Sequence, residues 1–398
     1  MDQKRTTNME VKRNNRNRIF RYIRRHDTVS NPDISYELKM SLPTVTQITR
    51  ELIERGLVEE QGELQSTGGR RAKALAVSAN ARQAVGLDIT RNHISLVLVN
   101  LTGEILQYQR IFLPYPAGNG EPDGAGGNLP NGFEAYYQDI AGKLEAFLDT
   151  CGADREKILG LGISFPGIID LAGEQIADSH ILGIRGLPFA WVTRFFPYPC
   201  QFLNDANAGA YAEGIQPGGM NRFFYLSLSN SVGGAVFCGG RLEQGKHFRC
   251  GEVGHMTVIP DGEACYCGKL GCLDAYCAAR RLSDRAGGKL DVFFASLDQG
   301  DQEAAAVWDR YTTCLAIAVN NIHMVLDCDM VLGGYVGSYL EHHIQDIRDK
   351  VSARNTFGED SGFVKACRYK TEAAALGAAL KIMESFAEQV YGKQKEKR

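Results

Sequence analysis

Residues 250–277 carry four side chains whose types and spacing suit a metal ion: His255, Cys265, Cys267 and Cys272. Three thiolates and an imidazole complete the tetrahedral set of a structural zinc, with no position left open for water or substrate. Gly268 and Gly271 allow the short loop to fold back so that Cys272 meets the two earlier thiols. The competing reading is that these cysteines are small buried hydrophobes. A tight Cys-x-Cys-Gly-x-x-Gly-Cys loop with a histidine upstream favours the metal.

The elements that must position this loop follow from periodicity. After a polar, basic lead-in over 1–13, Ile19, Tyr22 and Ile23 stripe a helix over roughly 14–25. Ser30-Asn31-Pro32-Asp33 starts a second helix carrying Ile34, Leu38 and Met40, and Ser41-Leu42-Pro43-Thr44 starts a third. The third helix buries Val45, Ile48, Leu52 and Ile53 and presents Thr44, Thr46, Gln47 and Arg50 on its other face. Two short helices joined by a brief turn describe a helix-turn-helix. The strands 57–60 and 74–77 then flank a wing whose tip holds Arg70 and Arg71, placed to enter a narrow, negative minor groove. The bland alternative is a small helical packing domain with a basic loop.

From Ala84 the texture changes to alternating strands and helices, which predicts an α/β body. Strands are expected at 85–89, 94–99, from 105 onward and at 158–164, with a helix over 133–151 and a Gly-rich loop at 118–132. A chain of 398 residues exceeds one ordinary core. The expected division is a DNA-binding module at 1–82 and a body at 83–398, with the zinc loop at 251–274. Residues 1–82 hold 16 Lys and Arg against 10 Asp and Glu, whereas the remainder holds 28 against 37. A basic front on an acidic body points to a polyanion partner for the front alone. No apolar run reaches the roughly 18 residues of a membrane span, no secretory signal opens the chain, and eleven mostly scattered cysteines fit a reducing compartment. A cytoplasmic protein is expected.

Gly251-Glu252-Val253-Gly254-His255, followed by Cys265-x-Cys267-Gly268-x-x-Gly271-Cys272-Leu273-Asp274, resembles the signature of the ROK family of repressors, open reading frames and sugar kinases. The resemblance covers about residues 10–390 and implies an actin-like, two-lobed sugar-kinase body behind a winged helix-turn-helix. It implies that Glu252 and His255 meet sugar hydroxyls, with one ring nitrogen of His255 on zinc and the other toward the sugar. Asp274 stands where the family usually has Glu, one methylene shorter. Asn204-Asp205-Ala206-Asn207 is similar to the family's Asn-Asp motif, in which the Asp is the base that deprotonates the sugar hydroxyl. Asn204 by itself also reads as a helix cap.

The family's kinases bind phosphates on bare glycine turns. Here those turns read Asp88-Ile89-Thr90-Arg91-Asn92 and Ser229-Asn230-Ser231-Val232-Gly233-Gly234-Ala235, with most of the glycines replaced. ATP binding is therefore not expected, and Asp205 becomes a vestigial base that accepts a hydrogen bond. The resulting expectation is a non-enzymatic, sugar-responsive transcriptional repressor. It binds operator DNA as a homodimer or homotetramer, takes a monosaccharide or derivative as effector and carries a structural zinc. The alternative is an ATP-dependent sugar kinase with an accessory DNA-binding domain. Cys151, Cys200, Cys238, Cys314, Cys328 and Cys367 are expected to fill cores, and His342-His343 to lie on an exposed helix.

Overall fold

Helix capping organises the front of the chain. In the computed structural model, which describes residues 8–63, 72–116, 132–216, 218–358 and 360–390, helix α1 spans Asn8–Arg24. It begins inside the stretch expected to be irregular. Helix α2 (Asn31–Leu38) opens on a capping box, the Ser30 hydroxyl accepting from the Asp33 backbone and the Asp33 carboxylate accepting from the Ser30 backbone. Helix α3 (Leu42–Glu54) is capped by Ser41 in the same way at one end of the box. Strands β1 (Val58–Glu63) and β2 (Lys73–Val77) form the antiparallel wing. Leu75 also bridges to Val29. The wing tip, with Arg70 and Arg71, lies outside the described residues.

Two five-stranded sheets of the same topology form the body. The first contains β3 (Gln83–Ile89), β4 (His93–Asn100), β5 (Ile105–Phe112), β6 (Ile158–Phe165) and β10 (Cys200–Asn204), in the order β10-β6-β3-β4-β5. A three-stranded sheet of β7 (Ile168–Asp170), β8 (Gln175–Ser179) and β9 (Ile184–Pro188) extends this lobe. The second large sheet contains β11 (Arg222–Leu228), β12 (Val232–Cys238), β13 (Arg241–Glu243), β14 (Asp329–Gly333) and β15 (Val364–Ala366), in the order β15-β14-β11-β12-β13. In both, an antiparallel meander is continued by two parallel strands. This repeated topology is the two-lobed α/β architecture that the family resemblance implied.

The helices Asp205–Ile215 and Ala373–Gln389 lie packed together between the sheets. Their approach depends on missing side chains. A Cβ on Gly86 would fall 1.8 Å from the Ala375 carbonyl oxygen, and one on Gly162 2.0 Å from that of Ala378. The far end of Ala373–Gln389 receives α1. Phe20 meets Phe386 edge-on at 6.1 Å, and the buried residues of the winged module join those of this helix in one hydrophobic cluster. That contact explains why Phe20, which the one-sided stripe of α1 did not include, is fully buried. The core expectations for cysteine hold for Cys314 and Cys367, but Cys238 is exposed. His343 is not a surface residue either: it packs against Phe294 and Trp308 and bridges to Asp298.

Candidate functional site

The four expected metal ligands converge. One donor atom from each of His255, Cys265, Cys267 and Cys272 lies within 4.8 Å of the others, forming a group that could hold a metal ion. His255 Nδ1 is 3.8 Å from Cys265 Sγ, and Cys267 Sγ is 3.7 Å from Cys272 Sγ. A tetrahedral zinc with Zn–S bonds of about 2.3 Å has edges of about 3.5–3.8 Å between its donors, which these two separations match. Bridges between Thr257 and Cys272 and between Ala264 and Leu270 close the loop. Gly271, at φ +75°, lies against the Ile259 carbonyl, where a Cβ would fall 1.8 Å away. The second ring nitrogen of His255, Nε2, meets the Tyr266 hydroxyl at 3.4 Å. Tyr266 in turn stacks on His180 of the first lobe.

The Asn-Asp motif sits where β10 gives way to a helix. Asn204 caps that helix, its Oδ1 accepting from the Asn207 backbone, while its Nδ2 donates to the Gly167 carbonyl. The helix-cap reading of Asn204 holds, and the cap fixes its side chain against Gly167, just past the end of β6. Asn204, Asn207 and Glu252 line one polar cavity of about 520 Å3. Asp205 faces a neighbouring cleft between the lobes that it shares with Asp88, Thr90, Arg91, Ser229, Ser231 and Tyr335. Asp274 is fully buried, with its Oδ2 accepting from the Val232 backbone at 2.6 Å and its Oδ1 without a partner among the described residues.

The interlobe cleft has a free volume of only about 50 Å3, the scale of a water or two. Tyr335 of the second lobe lies in it with the Arg110 guanidinium of the first lobe 5.1 Å from its ring. Thr90 and Arg91 occupy the turn where phosphates would approach backbone. Burial pushes the Asp205 carboxyl up to about 7, with the negative charge of Asp88 adding to it. Burial also raises Asp88 to about 6, with Ser164 and Arg110 opposing the rise. Two carboxyls that share so narrow a cleft resist joint ionisation.

On α3, Thr46, Gln47 and Arg50 are exposed and Thr44 is half-buried. Gln47 donates to Glu51, and Arg50 pairs with Glu54. A third feature was not anticipated from sequence, the dock between α1 and the helix Ala373–Gln389. Arg21 reaches Glu384 at 2.9 Å and also pairs with Glu388, and Arg24 reaches Glu384 at 3.4 Å. Arg24 and Glu384 are nearly buried there, their side chains 7% and 10% exposed. The partners stand about 360 residues apart, so no local pattern could announce them.

The sequence profile of the ROK family matches residues 84–384. The chain belongs to the ROK family. A winged helix-turn-helix DNA-binding profile matches residues 12–59. The xylose repressor of Caldicellulosiruptor bescii is 25% identical over 404 residues, covering 94% of this chain and 96% of that one. The DNA-binding transcriptional dual regulator NagC of Escherichia coli K12 is 26% identical over 280 residues, 69% of this chain and 65% of NagC's own length. Among solved structures, a ROK family transcriptional regulator described as a homolog of the E. coli MLC protein superposes with a TM-score of 0.73. It is 20% identical and covers 95% of this chain and 97% of that one. That likeness extends across the winged module and both lobes, and so establishes the fold.

Proposed function

We infer that this ROK protein is a sugar-responsive transcriptional repressor, with no kinase activity. The observation that carries the reading is the pairing of a winged helix-turn-helix, exposing Thr46, Gln47 and Arg50, with a body that keeps the sugar-side groups. The phosphate-side turns meanwhile lack most of the family's glycines, and the narrow cleft there is lined by Thr90, Arg91 and Tyr335. The repressor relatives support it. Thr44, Thr46, Gln47 and Arg50 would contact bases and phosphates in the major groove, and Arg70 and Arg71 the minor groove. Asn204 and Glu252, with Asp205 at the edge of the adjoining cleft, would receive the hydroxyls of a monosaccharide or derivative, each hydroxyl offering one donor to a carboxylate or amide. Asp274, buried on the Val232 backbone, and His255, which lines neither cavity, would instead support the loop. Zinc on His255, Cys265, Cys267 and Cys272 would hold the loop that carries Glu252, a structural role only.

Operator half-sites call for a homodimer or homotetramer, and the protein would act in the cytoplasm, where its operator lies. No helix among the described residues is long and apolar enough to cross a membrane. A ligand can shift the balance between DNA-competent and DNA-released arrangements only through its differential affinity for them. The test is binding of the purified protein to DNA from upstream of its own gene, with a panel of sugars and with or without ATP. Sugar-dependent release in the absence of ATP is expected. Absence of DNA binding together with sugar-dependent ATP consumption would replace the repressor with a kinase.

A further inference from the structure

The cavity that begins at Asn204 and Glu252 does not end in the body. Its far wall includes Arg21 and Arg25 of the winged module, together with Arg241, Lys381, Glu384 and Glu388. At about 520 Å3 it falls within the usual range for small-molecule sites. One end presents an amide and a carboxylate, the chemistry of hydroxyl recognition. The other end is cationic. Arg21 is committed to Glu384 and Glu388. Among the described residues, by contrast, no carboxylate lies in ion-pair range of Arg25, Arg241 or Lys381. Arg25 rests over the β12–β13 turn, its guanidinium 3.6 Å from where a Cβ on Gly240 would stand. Lys381 lies 5.4 Å from the Tyr211 ring.

The wall between the two ends has its own vacancies in hydrogen bonding. The Tyr211 hydroxyl, on a side chain 2% exposed, has no partner among the described residues. Asn207 Oδ1 and Arg21 Nε on the same wall are also buried and unpartnered. Buried polar groups are ordinarily satisfied, and three clustered exceptions along one cavity mark the path of a polar ligand. Guanidinium groups without carboxylates, at the end of that path, suit a phosphate or carboxylate oxygen.

We propose that this cavity is an extended effector site for an anionic sugar, its hydroxyls at Asn204 and Glu252 and its phosphate or carboxylate at Arg25, Arg241 and Lys381. Because Arg25 belongs to the DNA-binding module, such a ligand touches the module and the body at once and holds them in the docked arrangement. A neutral sugar lacks that second contact. The proposal rests on the sugar-responsive reading above and adds the charge class of the effector and its direct contact with α1.

Calorimetric titration of the full chain compares glucose with glucose 6-phosphate and glucuronate, and N-acetylglucosamine with its 6-phosphate, in wild type and in Arg25→Ala/Arg241→Ala. Both arginines are exposed, and an unchanged melting temperature verifies that the variant folds. The expected result is that a charged derivative binds about tenfold or more tighter than its neutral parent, and that the double substitution abolishes the preference. Asn204→Ala should weaken parent and derivative alike. A better response to the 6-phosphate than to glucuronate, or the reverse, distinguishes phosphate from carboxylate. Equal affinity for neutral and charged members would overturn the anionic subsite and leave the sugar reading intact. If no sugar binds, the sugar reading falls and inorganic phosphate decides the rest. Phosphate binding that is lost in the double variant retains the subsite, and no phosphate binding removes it.

Discussion

Replacing Asp205 with Asn should make the protein more stable at pH 8 and less able to respond to sugar. The Asp205 carboxyl is held at about 7 against an ordinary 3.8, burial being the main cause and the charge of Asp88 the second. Ionising it in the fold therefore costs more than ionising it in the unfolded chain, by about 4 kcal/mol if the whole rise were realised. Coupling to Asp88 and partial solvent access reduce this, so about 2–4 kcal/mol is the expected gain. The sign follows from linkage. A carboxyl raised in the fold costs nothing well below its ordinary 3.8, where both states are protonated, and its cost grows as pH rises from there toward 7. The amide oxygen of Asn can still accept from the Ala206 backbone, as Asp205 Oδ1 does at 2.9 Å. Urea denaturation of wild type and Asp205→Asn at pH 4.5, 6 and 8 reads the difference directly. The gap should be small at pH 4.5 and widest at pH 8. A gap independent of pH, or a variant less stable at pH 8, would refute the account of a strained carboxyl pair kept for ligand binding.

Cys265→Ser should lower metal content below one zinc per chain, measured with a colorimetric chelator on denatured protein, and should depress both melting temperature and sugar affinity. Full sugar affinity in that variant would separate the metal loop from the effector site. Glu384→Ala should cost about 3 kcal/mol in urea denaturation because it strands the buried Arg24 guanidinium. Arg24→Met/Glu384→Met should cost less than Glu384→Ala alone, since no lone charge remains; an equal or larger loss would mean that packing outweighs the pair. Arg50→Ala should weaken operator binding by about 1–3 kcal/mol if the guanidinium reads a base, with relaxed specificity at that position. A uniform loss across sequences, with a salt dependence reduced by about one ion, would identify Arg50 as a phosphate contact.

The parts of this molecule that were legible in sequence are those whose physics is local. The Ser30 capping box, the buried stripe of α3 and the spacing of His255, Cys265, Cys267 and Cys272 all act within a few residues, and each stands where expected. The opening meander was legible for the same reason, whereas the Asn204–Asp205 junction was found through the family resemblance, with only the cap of Asn204 readable locally. Asp274 was harder to read. Its carboxylate is drawn to the Val232 backbone 42 residues earlier, a demand invisible from its neighbours. His343 reads as surface in a polar helix, but Phe294 and Trp308 arrive from two other helices to cover it. The basic end of α1 read only as part of a front suited to a polyanion, and only the distant helix Ala373–Gln389 turns it into a dock and a cavity wall.

That dock carries a consequence for how the protein comes into being. During synthesis the winged module leaves the ribosome before the first body sheet is complete, and before the helix that buries Phe20 exists. Its seat, Ala373–Gln389, emerges some 350 residues later, tens of seconds behind at about 5–20 residues per second. Through that interval the nascent chain holds a DNA-binding head with no seat for it and no complete effector cavity. A product cut short before residue 373 would be fixed in that state, with the winged module but without its seat or the cavity wall of Lys381, Glu384 and Glu388. Regulation in this chain is thus the final thing that translation delivers.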